Sequence, residues 1–145
     1  MIVLVDTCVW SLALRRSRKQ VNIEEARTLD LLKEIMLDGR ARMLGLVRQE
    51  LLSGIRHKEQ FNNILAVTRN FTDIPIEVAE YELAATAYNL CRTAGIAGNP
   101  VDFLLCAVAQ HRNWAVLTTD KDFVLYQKCV PFRLLSADRA VPGLP

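Results

Sequence analysis

Four acids in this sequence stand where an acid is out of place. Asp6 closes the apolar run Ile2 to Val5, and Asp120, with Asp122 two positions on, closes the run WAVLTT. Asp102 opens a nearly all-apolar helical stretch, and Glu50 falls in the first turns of RQELLSGI, a helical stretch that follows another apolar run. Carboxylates are almost never buried without a partner, so an acid at the tip of a core strand needs a physical reason. In open parallel sheets, ligands bind beyond the carboxyl ends of the strands. Crossover helices start at that same edge. Asp6, Glu50, Asp102 and Asp120 are therefore expected to meet in one cleft.

Such a meeting is costly without a counter-charge. Two carboxylates about 5 Å apart repel by roughly 3 kcal/mol at an effective dielectric of ~20. Several such pairs would consume much of the ~5–15 kcal/mol that holds a small domain folded. A divalent cation removes the conflict, and hard oxygen donors without His or Cys suit magnesium or manganese. Held there, such an ion could activate a water and stabilise charge on a phosphoryl oxygen during in-line displacement. That is nuclease chemistry.

Each acid also has a plainer reading. Asp6 can cap the helix that begins near Val9, and Asp102 can cap its own helix. Glu50 alone would be a solvated helical charge, and Asp120 and Asp122 would be turn residues. A calcium loop is excluded, because the stretch after Asp120 lacks the central glycine and meets Pro131 at its twelfth position. His57 and His111 read as surface or helix-end residues. Cys106 and His111 are five apart on one helix and face directions about 140° apart, so they would form a nucleophile–base pair only by coincidence. Trp10 and Trp114 read as core or interface aromatics. Arg15, Arg16, Arg18 and Lys19 form a basic patch that is either a solvated face or a grip on RNA phosphate or an acidic partner.

The elements that must place these acids alternate along the chain. Ile2 to Val5 is β-branched and apolar throughout, as in a strand buried on both faces. Val9 to Leu14 starts a helix, and Asn22 with Glu25 makes a capping box for the next one. Ile23, Ala26, Leu29, Leu32, Ile35 and Met36 then recur at helical spacing, closed by Gly39. Met43 to Val47 reads as a second strand leading into the helix of Glu50. Lys58 to Asn70 reads as a helix, Phe71 to Ile76 as a third strand, and Glu77 to Thr93 as a long helix closed by Gly95. After the loop GIAGNP come the helix Val101 to His111, the strand Trp114 to Thr119, the turn DKDF and a last strand, Phe132 to Ser136. Strands alternating with helices imply a parallel α/β sheet with right-handed crossovers.

Composition sets the outer bounds. With 145 residues, 51% hydrophobic and 23% charged, the chain has the make-up of a soluble globular protein and can bury a real core as one domain, 1–145. A net charge of +2 is too small to name a partner. No signal-peptide pattern and no apolar stretch near ~20 residues is present, so a cytoplasmic location without membrane contact is expected. Cys8, Cys91, Cys106 and Cys129 have no CxxC spacing and read as reduced, mostly buried residues.

The segments that carry the acids, MIVLVDTCVW, LVRQELLSGI, VDFLLCAVAQHRN and AVLTTDKDF, resemble in order and spacing the PIN-domain ribonucleases, and most closely the VapC toxins of toxin–antitoxin pairs. The resemblance spans essentially the whole chain. It implies a PIN-like fold with a central parallel sheet of about four to five strands flanked by helices. It also implies a magnesium- or manganese-dependent endoribonuclease, the toxin of a type II module, cytoplasmic and homodimeric, acting on RNA and held inactive by a VapB-like antitoxin. Carried over by motif, Asp6, Glu50, Asp102 and Asp120 are the acidic cluster, with Asp6 and Asp102 the most direct metal ligands. Glu50 and Asp120 complete the shell through waters or position the attacking water. Asp122 matches a less certain ligand, and Thr7 and Thr118 match small hydroxyl positions beside the site. One departure is visible: Cys8 stands where relatives often carry Asn or Ser, which alters the hydrogen bonding around Asp6. Two other readings compete. One is a non-catalytic interaction module of the same fold. The other is a haloacid-dehalogenase-like phosphatase with Asp6 as nucleophile, which wants an acid two residues later, where Cys8 stands.

Overall fold

The structure is a computed structural model that describes residues 1–16 and 18–137. At its centre is a parallel sheet of four strands, ordered β2-β1-β3-β4, formed by β1 (Val3–Val5), β2 (Ala41–Arg42), β3 (Ala115–Leu117) and β4 (Arg133–Leu135). The two inner strands are buried throughout, as their unbroken apolar runs require, and pair in register Val3 with Ala115 through Val5 with Leu117. Every strand connection is a helical crossover, which places all four carboxyl ends at one edge. No helix among the described residues is long and apolar enough to cross a membrane.

The helices follow local signals. α1 (Thr7–Leu14) is capped by Asp6, and α2 (Ile23–Leu37) by the expected box, in which Glu25 N–H donates to Asn22 Oδ1 at 2.8 Å. Gly39 follows with φ +69°, the left-handed exit that glycine adopts without a Cβ penalty. α3 (Gly45–Leu52), α4 (Lys58–Thr68), α5 (Val78–Thr93), α6 (Pro100–Arg112) and α7 (Asp122–Tyr126) complete the set. α6 is buried continuously from Phe103 to Ala109, which explains its nearly all-apolar sequence.

Three expected elements differ. The second strand lies at Ala41–Arg42 rather than Met43 to Val47. Met43, Leu44 and Val47 are buried as a strand would require, but the helical pair Val47 and Leu51 takes over from Gly45. The flanking Arg40 and Arg42 hide the true strand from a hydropathy reading. No strand forms over residues 71–76. Pro75 offers no N–H to a ladder, and the carbonyls there go to side chains: Phe71 O accepts from Arg48 Nη2 and Pro75 O from Arg112 Nη2, both at 2.7 Å. The DKDF turn opens into α7, a short helix instead of a loop.

One structural feature had no sequence signal. Glu80, on α5, is fully buried, and its carboxylate accepts from Arg112 Nε at 2.6 Å and Nη2 at 3.0 Å, with His111 Nδ1 at 3.0 Å. The cluster joins α5 to the end of α6. Burial alone would raise the Glu80 pKa, but the hydrogen bonds from Arg112, the Glu77 backbone and His111 win and hold it at about 2.

Candidate active site

β1 ends in Asp6, whose N–H donates to Leu117 O at 3.0 Å, so the residue is pinned to the next strand. Its side chain is only 6% exposed. Oδ1 accepts the Thr7 N–H at 2.7 Å, while Oδ2 accepts the Thr118 hydroxyl at 2.8 Å and the Cys8 thiol at 3.3 Å. The plainer reading of Asp6 as a helix cap is therefore true, and it does not exhaust the residue. Thr118 is a joint between two acids, since its hydroxyl also accepts the Asp120 N–H at 3.0 Å. Cys8 is tied down in turn by the Thr119 hydroxyl at 3.3 Å. The departure at position 8 thus acts where the sequence suggested, on the hydrogen bonding of Asp6.

Asp102 does not cap its helix. Asn99 does so, its Oδ1 accepting Val101 N–H at 2.8 Å, with Pro100 in the first turn. Freed from that task, Asp102 accepts the Tyr126 hydroxyl on Oδ2 at 3.2 Å. Glu50 is an exposed residue of α3, next to Thr7, whose buried hydroxyl makes no formed hydrogen bond. Asp120 takes the Asp122 N–H on Oδ1 at 2.9 Å.

The electrostatics bring the four acids together. Asp102 is pushed up to about 7, first by burial and then by the charges of Asp6, Asp120 and Glu50, with the Tyr126 hydrogen bond opposing. Glu50 is raised by partial burial and by Asp6. Asp6 is raised by burial and by Asp120, against three hydrogen bonds. Acids from the ends of β1 and β3 and from two helices thus feel one another's charge. Asp122 is exposed at the start of α7, where its N–H donates to Asp120 and its charge acts on Tyr126.

A hard divalent cation fits this donor chemistry: oxygen ligands only, mutual repulsion and raised pKa values. As the side chains stand, no three His, Cys, Asp or Glu among the described residues are close enough together to hold one ion. The basic patch is partly beside the site. Arg16 shares a polar cleft of about 530 Å³ with Cys8, Thr119 and Lys121, but its guanidinium is paired with Glu25. Arg15 and Lys19 are exposed, and the Arg18 side chain lies outside the described residues. Sequence reasoning missed Tyr126 because it falls just past a stretch read as a turn.

An α/β sheet of order β2-β1-β3-β4 with acids gathered at its carboxyl edge defines the class. Residues 3–128 match the family model of the PIN domain, and the chain belongs to that family. Among solved structures it is similar to FitAcB from Neisseria gonorrhoeae, with TM-score 0.73 and 17% identity over 94% of this chain and 98% of that one. It is also similar to VapBC2 from Rickettsia felis bound to a DNA fragment from their promoter, with TM-score 0.66 and 22% identity over 93% and 98%. A third is VapBC-5 from Mycobacterium tuberculosis, described as a member of the VapBC family of toxin–antitoxin systems, with TM-score 0.66 and 16% identity over 94% and 99%. At these identities the likeness is one of fold. No curated protein matches the sequence.

Proposed function

We propose that this chain is a magnesium- or manganese-dependent endoribonuclease and the toxin of a VapBC-type pair. The observation that carries the reading is the electrostatic coupling of Asp6, Glu50, Asp102 and Asp120, four acids from four segments. Asp6 and Asp102 would hold the ion directly, and Glu50 and Asp120 would complete the shell or orient the attacking water. When bound, the ion would lower the pKa of a water and stabilise phosphoryl charge. Thr118 keeps Asp6 and Asp120 in fixed relation, and Thr7 stands beside Glu50. Asp122 shapes the loop of Asp120 through its backbone.

The partner would be a VapB-like antitoxin, whose arginine could replace the metal's charge among the acids. The fold likeness to FitAcB and VapBC structures supports that choice. An apolar cleft of about 420 Å³ between α3, α5 and α6, lined by Leu46, Tyr81, Tyr88, Val101 and Leu104, is suited to a partner or to a second copy in a homodimer. The test is incubation of the purified chain with total bacterial RNA and Mg2+ or Mn2+. Discrete fragments are expected, lost on chelation and lost in Asp6→Asn. Equal fragmentation by wild type and Asp6→Asn would end the proposal.

A further inference from the structure

Resting on the ribonuclease reading above, we propose that Tyr126 is the positioning residue of Asp102. Tyr126 is 1% exposed, yet it carries a polar hydroxyl aimed at a single side-chain atom, Asp102 Oδ2, at 3.2 Å. A buried tyrosine requires a partner for that hydroxyl, and here the partner is a member of the acid cluster.

The ring is seated by residues from both sides of the site. Phe103 of α6 packs on it at 4.7 Å between centroids, and Phe123 of α7 at 5.2 Å. The hydroxyl direction is therefore set where the helix of Asp102 meets the helix that follows Asp120. Gly98 completes the seat. A methyl group there would lie 2.4 Å from Phe103 Cε2, closer than carbons approach, and 3.0 Å from Tyr126 Cε1, a tight contact. Gly98 has no positive φ, so space rather than backbone freedom requires it. The Tyr126 hydroxyl engages Oδ2, and Oδ1 of Asp102 would then be the oxygen offered to a cation. Tyr126 thus selects which carboxylate oxygen the cluster uses.

Tyr126→Phe removes only the hydroxyl, and its melting temperature is expected to stay within a few degrees of wild type. Its Mn2+ affinity, read by calorimetry, is expected to fall about tenfold, with a parallel fall in cleavage of total RNA at fixed Mn2+. Gly98→Ala should weaken Mn2+ binding in the same direction by pushing the ring. The decisive comparison is made in Asp102→Asn, where adding Tyr126→Phe should change Mn2+ affinity no further. A merely structural tyrosine would lower it again, which would overturn the proposal. Wild-type Mn2+ affinity in Tyr126→Phe, alongside an inactive Asp102→Asn, would overturn it while leaving the ribonuclease reading intact. A wild type that neither binds Mn2+ nor cleaves RNA would remove both.

Discussion

Replacing Asp102 by asparagine is expected to abolish RNA cleavage and, in the metal-free protein, to raise stability at the same time. The activity loss follows from its proposed place as a direct ligand. Residues that only orient ligands cost about 10–100-fold when removed, so a ligand itself should cost at least the upper end of that range. The stability gain follows from the charge. Asp102 is raised from 3.8 to about 7 because burial and three neighbouring carboxylates oppose its ionisation. For an acid raised in this way, the folded state binds more protons than the unfolded one between the two values. Stability is thus complete below about pH 4 and declines as pH rises through about 7. The shift corresponds to a maximum of about 4 kcal/mol, and part of it is screened because the residue is not fully buried. Asparagine keeps an oxygen to accept the Tyr126 hydroxyl while losing the charge. Chemical denaturation in a chelator should therefore show Asp102→Asn more stable than wild type at pH 8 by about 2 kcal/mol, and equal to it near pH 4. Added Mn2+ should narrow the gap at pH 8 by stabilising wild type more than the weaker-binding variant. A destabilised asparagine variant at pH 8 would mean that the acids are not in conflict.

The parts of this site that could be read in advance are those where one residue breaks a pattern. Asp6 was conspicuous because Val3 to Val5 leave no reason for a charge, and Asp120 for the same reason after Ala115 to Leu117. α6 was visible because a helix buried on nearly all sides shows as an apolar run with its acid at one end. Met43 to Val47 misled because hydropathy reports burial, and a loop and a helix face can both be buried. Phe71 to Ile76 misled in the same way: Ile74 is buried, but tertiary contacts from Arg48 and Arg112 take the carbonyls that a strand would use. Tyr126 and Glu80 lay beyond any local pattern, since each is defined by a partner 24 or 32 residues away. The same limit applies to Cys8, whose type was plain but whose reach to Thr119, 111 positions on, required the fold.

Arg112→Ala is expected to be the most destabilising single change outside the acid cluster. It strips a fully buried carboxylate of its two-nitrogen fork and also removes the guanidinium packed 5.1 Å over the Trp114 ring. Breaking one side of a buried ion pair costs about 3–5 kcal/mol, because the remaining charge is left in a poor solvent. The acid limb of the stability curve gives an independent reading. Glu80 is lowered from 4.5 to about 2, so its contribution is complete above about pH 4.5 and is lost as pH falls towards 2. That shift amounts to about 3 kcal/mol, in agreement with the mutational figure. Wild type should thus lose stability between pH 4.5 and 2, and Arg112→Ala should lose less there, having less to lose. Replacing both partners by methionine should recover much of the loss, since an apolar pair leaves no charge stranded. Arg112 lies ten residues beyond Asp102 on one helix, about 15 Å along its axis. At temperatures where Arg112→Ala is still folded, its RNA cleavage should equal wild type. A large drop in cleavage by folded Arg112→Ala would mean that α6 transmits strain from its end to the acids.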